Sequence, residues 1–231
     1  MAIPPFLAMT AAEIHENPIL PENLCWMACH FSPYGLGLSN RPERLPTGSV
    51  LMLNDITPIH GHDPKMIAAQ LAEWVETFRC KAVLLDFQRP GCGETAALAS
   101  ALVEELPCPV AVSEGYAAGL DCPVFLPPLP HHIPLADWLA PWKGREIWLE
   151  LALDGEEIRL TDAGSVITPL PHVCGYGGHT DEILHCHYRV ELSDTDARFM
   201  LWRTREDIQA LLEEAEGLGV TVAVGLYQEF R

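Results

Sequence analysis

Short apolar runs alternate along the chain with segments whose apolar positions recur three and four residues apart. Cys25–Phe31, Val50–Asp55, Ala82–Gln88, Val110–Glu114, Val124–Leu126 and Ile147–Leu153 are rich in Val, Leu, Ile, Met and aromatic residues. Such near-continuous runs suit strands buried on both faces. Asp63-Pro64 opens a helix with proline at its first position, and Ile67, Leu71, Trp74, Val75 and Phe78 share one face of it. A second helix is predicted over Thr95–Leu106, ended by Pro107. Farther on, Phe199–Arg203, Glu206–Leu218 and Val220–Leu226 read as strand, helix and strand, with Gly219 just past the helix end.

Repeated β–α alternation with buried strands predicts a parallel sheet covered by helices. With Phe199–Arg203 as seventh strand and Val220–Leu226 as eighth, the expected fold is an α/β (β/α)8 TIM-like barrel in a single domain. Residues 1–24 would form an N-terminal extension. In the last strand Thr221, Ala223 and Gly225 share a face small enough for a crowded barrel interior. Two stretches make the barrel irregular, with antiparallel hairpin additions in the second half. Leu153-Asp154-Gly155-Glu156 reads as a tight hairpin, and His187–Leu192 and Ala197–Arg203 flank a second one at Ser193–Asp196. A doubly wound open sheet is the alternative. It calls for a glycine-rich turn after the first strand, and Gly35-Leu36-Gly37 lacks both the third glycine and a following helix.

Composition narrows the function. Hydrophobic residues make up 48% of the 231, enough for a sizeable core. Against 32 acidic residues stand 14 basic ones, a formal charge of −18, and Lys65, Lys81 and Lys143 are the only lysines. That balance argues against nucleic acid and anionic membrane, which require clustered cations. No apolar run approaches the length of about 18 residues that spans a bilayer. The first 24 residues lack the basic and apolar segments of a secretory signal, so a cytoplasmic location is expected. Eight cysteines occur without a CxxC pair, which favours reduced, mostly buried thiols over a zinc ribbon. Composition leaves an acidic domain that is an enzyme or a small-molecule binder, with no cofactor expected.

Barrel chemistry gathers at the carboxyl ends of the strands. The polar residues there are Asp55; Asp86 with Gln88 and Arg89; Glu114 with Tyr116; and Tyr227 with Glu229. Leu84, Asp86 and Gln88 share one face by the two-residue period of a strand. An acid and an amide at the end of so apolar a strand need partners, either in the next loop or in a ligand.

The segment Met66–Gln88, a helix leading into Lys81-Ala82-Val83-Leu84-Leu85-Asp86-Phe87-Gln88, resembles the fourth-strand region of family 18 chitinases, which carry Asp-x-x-Asp-x-Asp-x-Glu there. Asp86 matches the last aspartate and Gln88 the catalytic glutamate, while Lys81 and Leu84 occupy the first two aspartate positions. Gln at the glutamate position, followed by Arg89-Pro90, is similar to the non-hydrolytic seed proteins of that fold, the concanavalin B type. The resemblance implies a sugar-like ligand held by Asp86 and Gln88. It also implies impaired or altered catalysis, since glutamine has no proton to give. Glu114, at the end of the next strand, is then the candidate acid or base, with Asp86 beside it. Trp202 is the candidate sugar-stacking platform.

Histidine pairs support an alternative, a hydrolase dependent on zinc or another divalent metal. His60 and His62 follow the second strand, and His185 and His187 lie on a predicted strand where residues two apart face the same way. Cys174–His179 is a glycine-rich loop without the lysine of a phosphate-binding loop, expected to be a lid or a plain connection. A third reading is a non-enzymatic regulatory or scaffold protein.

Overall fold

The computed structural model describes residues 3–90, 93–170 and 178–231. Cys92, Cys174 and most of the glycine-rich loop lie outside the described residues. The chain divides into two compact units, where the sequence suggests one domain. The first comprises Pro4–Pro127, Gly144–Glu150 and Thr221–Arg231; the second is built mainly of Pro128–Lys143 and Leu151–Val220.

The first unit is a closed (β/α)8 barrel. Its strands are β1 (Phe6–Met9), β2 (Leu24–Phe31), β4 (Val50–Asn54), β5 (Ala82–Asp86), β6 (Val110–Ser113), β7 (Val124–Leu126), β8 (Ile147–Leu151) and β14 (Val220–Leu226). They are hydrogen-bonded in that order, and β1 closes the ring by pairing parallel with both β2 and β14. β3 (Leu38–Ser39) adds a short antiparallel edge to β2. The barrel thus begins inside the expected N-terminal extension: Phe6–Met9 is only four residues behind a Pro-Pro pair, too short to announce itself. Ala82–Asp86 is therefore the fourth barrel strand, where reading from Cys25 makes it the third.

Helices α1 (Ala11–Glu16), α2 (Pro64–Phe78) and α3 (Gly93–Glu105) follow β1, β4 and β5. α2 starts as its sequence predicts, with the Asp63 side chain accepting the Lys65 N–H and Pro64 at the first position. Its apolar face, Ile67, Leu71, Trp74 and Val75, is buried. Between β6 and β7 stands a turn instead of a helix, and Arg145 donates to the carbonyls of Ala117, Leu120 and Cys122 within it.

Strand alternation fills the barrel with Phe6, Ala8, Cys25, Val50, Met52, Ala82, Leu84, Ala111, Phe125, Trp148, Val222 and Val224. The interior face of β14 is therefore Val222 and Val224, because β14 is registered on β1 with Val224 opposite Phe6. Thr221, expected inside, is exposed and donates to Glu146.

The second unit holds a five-stranded antiparallel sheet in the order β10 (Gly164–Leu170), β9 (Gly155–Thr161), β13 (Asp196–Trp202), β12 (Cys186–Leu192), β11 (His179–Asp181). It also holds α4 (Leu135–Leu139) and α5 (Arg205–Gly217). The expected hairpin at Ser193–Asp196 is present, joining β12 to β13. The one at Asp154-Gly155 is not: the strands on either side of it, β8 and β9, belong to different sheets. Phe199–Arg203 likewise leaves the barrel, since β13 pairs antiparallel with β9 and β12. A missed first strand and a borrowed seventh offset each other in the sequence count of eight.

Candidate functional site

At the carboxyl end of the barrel lies a cavity of about 470 Å³ lined by Met27, Met52, Asn54, Asp55, Ile56, Asp86, Gln88, Arg89 and Pro90. A smaller space of about 140 Å³ shares Met27, Met52, Asp86 and Gln88, and adds Ala8, Phe125, Glu150 and the end of β14. The alternation that buries Leu84 in the interior carries Asp86 and then Gln88 to the mouth on the same side.

The loop after β5 is held from two neighbouring strands. Asp55, just past β4 and only 4% exposed, accepts the backbone N–H groups of Gln88 and Arg89, each at 3.0 Å. The Arg89 guanidinium donates to the carbonyls of Asp55 and Ile56, both at 2.7 Å. On the other side the Tyr116 hydroxyl donates to the Arg89 carbonyl at 2.6 Å, and its ring meets Phe87 edge-on. Asp55, Arg89 and Tyr116 thus fix the loop, although Asp55 and Arg89 also border the cavity.

With its backbone fixed, Gln88 turns its amide back on Asp86, donating to the two carboxylate oxygens at 3.1 and 3.2 Å. Burial pushes the Asp86 carboxyl above its usual range; the Gln88 hydrogen bond opposes the shift, and the nearby Asp55 adds to it. Asn54 donates to the Met27 carbonyl at 3.0 Å, which steadies the wall beside Asp86. The floor is apolar: Met27, Met52, Phe125 and Val224.

Among the described residues of these two linings, the acid beyond Asp55 and Asp86 is Glu150 on β8, and Glu114 lines neither space. Glu114 follows β6 one residue past Ser113, and the interior parity of that strand runs through Ala111 and Ser113. Ser113 instead links β5 to β6, donating to the Leu85 carbonyl and accepting the Phe87 N–H, each at 2.8 Å. The Glu114 carboxyl is raised by burial. Glu150 was legible in principle, since it lies two residues beyond the inward-facing Trp148.

The remaining candidates lie elsewhere. Tyr227 sits on α6 (Tyr227–Phe230) and its hydroxyl donates to Asn17 at 3.1 Å; neither Tyr227 nor Glu229 lines the two spaces. Trp202 belongs to β13 of the second unit, is 5% exposed, and stacks on His187 with ring centroids 5.8 Å apart. A buried, covered indole cannot serve as a sugar platform there.

The histidine pairs do not assemble a metal site among the described residues, where no group of three His, Cys, Asp or Glu side chains has suitable geometry. His60 is exposed, and its backbone N–H donates to His62 Nδ1 at 3.2 Å. His62 packs against Phe31, and burial lowers its pKa. His185 and His187 do both face α5, but each has its own carboxylate: Glu214 at 2.7 Å and Asp207 at 3.3 Å. Those acids are seven residues apart, about 10.5 Å along the helix, which keeps the two imidazoles from converging.

Comparison with solved structures places the fold. The GH18 chitinase of Cycas revoluta, a mutant form in complex with (GlcNAc)4, matches with a TM-score of 0.62 at 10% identity, over 96% of this chain and 94% of that one. The chitinase-like agglutinin of Robinia pseudoacacia matches at 0.61 and 13%, over 97% and 95%. The spore cortex-lytic enzyme SleL of Bacillus cereus matches at 0.60 and 10%, over 96% and 70%. No protein-family model matches the chain, nor does any curated protein sequence. The chain therefore has the TIM-like barrel fold found in chitinases and chitinase-like proteins, and at this identity the likeness speaks for fold alone.

Proposed function

We propose that the barrel binds an oligomer of N-acetylated amino sugar in the cavity at its strand ends, without hydrolysing it by the substrate-assisted route. The observation that carries this is the meeting of Asp86, Gln88 and Glu150 around one apolar floor. Carboxylates and an amide accept from hydroxyl and acetamido N–H groups, while methionine and phenylalanine cover the C–H faces of a sugar ring. A phosphorylated ligand fits poorly, because the Arg89 guanidinium at the rim already bonds two carbonyls. The bound oligomer in the Cycas chitinase supports the ligand class.

Gln88, at the position that the resemblance gives to the catalytic glutamate, offers no acidic proton. General-acid catalysis is worth about 10²–10⁴-fold. Restoring a glutamate there does not rebuild the machinery, since the residue two before Asp86 is the fully buried, apolar Leu84. Any turnover would draw its proton from Glu150.

The test pairs calorimetric titration of chitin oligomers with a chromogenic N-acetylglucosamine oligomer assay on the wild type, Gln88→Glu, Glu150→Gln and Glu114→Gln. Binding without turnover is expected in the wild type, and no robust activity in Gln88→Glu. Wild-type hydrolysis abolished by Glu114→Gln but not by Glu150→Gln would refute the assignment.

A further inference from the structure

The polar groups around the cavity at the strand ends are mostly acceptors. The backbone N–H groups of the loops beside it already have partners: the Asn54 side chain for Ile56, the Ser113 hydroxyl for Phe87, and Asp55 for Gln88 and Arg89. Pro90 has no N–H to offer. The Asn54 amide donates to the Met27 carbonyl. The Gln88 amide turns its nitrogen to Asp86, which leaves its oxygen, an acceptor, for a ligand. Among the described residues of the two linings, the acids Asp55, Asp86 and Glu150 stand against one cation, Arg89. Arg89 lines only the larger space, where its guanidinium is held on the carbonyls of Asp55 and Ile56. The inner space of about 140 Å³ is bordered by Asp86, Gln88 and Glu150, and none of its described lining residues is cationic. A group that enters it must bring donors.

We propose that the oligomer bound there carries a free amine, with the ammonium of one glucosamine unit seated among Asp86, the Gln88 oxygen and Glu150. The proposal rests on the glycan reading above and narrows it from acetylated to partly deacetylated oligomers. An ammonium has three donors and no acceptor, the complement of this lining. Its hydrogen bonds to carboxylates are charge-assisted, roughly twice as strong as neutral ones. An acetamide brings one N–H and one carbonyl. In the inner space that carbonyl would face acceptors and apolar groups, and would lose its hydration without gaining a partner. Size points the same way, since the unit without its acetyl group is the smaller one for the smaller space. Apolar Met27, Met52, Phe125 and Val224 still cover the C–H faces of a ring, a contact that a bare polyamine cannot use. Hydroxyl groups donate as well, so neutral oligomers bind, but more weakly.

Calorimetric titration of (GlcNAc)4 and (GlcN)4 into the full chain tests this at about pH 6, between the carboxylate and amine ranges. The wild type is expected to bind both, and (GlcN)4 about tenfold more tightly or better. Glu150→Gln and Asp86→Asn each keep an acceptor and remove a charge. Each is expected to cut that preference about fivefold or more. Glu213→Gln, exposed on α5 in the second unit, removes the same charge from the chain and is expected to leave the preference unchanged. Circular dichroism confirms folding, and either site variant serves if the other misfolds. A wild type that binds (GlcNAc)4 as tightly as (GlcN)4 would overturn the proposal and leave the glycan reading standing. Failure of both oligomers to bind would overturn the two together. A preference that survives both site substitutions, or that Glu213→Gln removes, would belong to the diffuse field of a chain of net charge −18 and would overturn the proposal as well.

Discussion

Asp86 at the barrel mouth and Glu156 in the sheet unit are both partly buried carboxylates, and their surroundings shift them in opposite directions. Burial raises Asp86, and the neutral Gln88 amide cannot cancel it. Burial would raise Glu156 too, but His131 and His132 outweigh it and bring the group down to about 2. His132 does so through a 2.8 Å contact, while His131 stands at 3.9 Å, beyond hydrogen-bond range, and acts through charge. One unit leaves an acid facing an open cavity with a neutral amide as its hydrogen-bond partner; the other closes its acid within a local network. The first arrangement is what a binding site for neutral polar groups requires, and the second is what holds a fold together.

The largest effect expected from this contrast is at Arg203, the cation at the heart of the sheet unit. It is 5% exposed and donates to the carbonyls of Leu129, Pro130, Leu184 and His185. Arg203→Met strands these acceptors and should cost about 3–5 kcal/mol in urea denaturation. In the barrel, Asp55→Ala leaves the Gln88 and Arg89 N–H groups without their acceptor. It should cost about 2–3 kcal/mol and loosen ligand binding along with the loop.

A smaller effect carries the contrast in its sign. Asp86→Asn removes a desolvated charge while keeping an acceptor for Gln88, so stability at pH 7 should stay within about 1 kcal/mol or rise. Glu156→Gln should instead destabilise by about 1–3 kcal/mol, because His131 loses a charged neighbour. Equal losses in the two variants would break the comparison.

The subtlest effect is in pH. Asp86, raised in the fold, contributes stability that is present below its ordinary range and lost as pH rises through its folded value. Glu156, lowered from 4.5 to about 2, contributes stability that is present above 4.5 and lost as pH falls toward about 2. Stability curves of the two variants, subtracted from wild type between pH 7 and 3, should therefore slope in opposite directions.

What the sequence reveals follows from how local its signals are. The helix at Asp63-Pro64 and the strand ending at Asp86 announce themselves through caps and alternation within a dozen residues. Phe6–Met9 does not, because four residues acquire their strand character from pairing with β2 and β14, the latter over two hundred residues away. Asp86 and Gln88 are legible from one strand's parity. Glu150 shares their cavity only because β8 closes toward them across the ring, which no single strand encodes. Trp202 misleads for the converse reason: its strand has an apolar run but pairs antiparallel, and the indole stacks on His187.

The central claim, that the barrel mouth is the glycan site, is tested most directly by calorimetric titration of (GlcNAc)4 into the wild type and into Met52→Trp, which fills the floor between Asp86 and Met27. The wild type should bind, Met52→Trp should lose at least tenfold in affinity while remaining folded, and Trp202→Phe should bind as the wild type does. Absence of binding to the wild type, or undiminished binding to a folded Met52→Trp, would contradict the account.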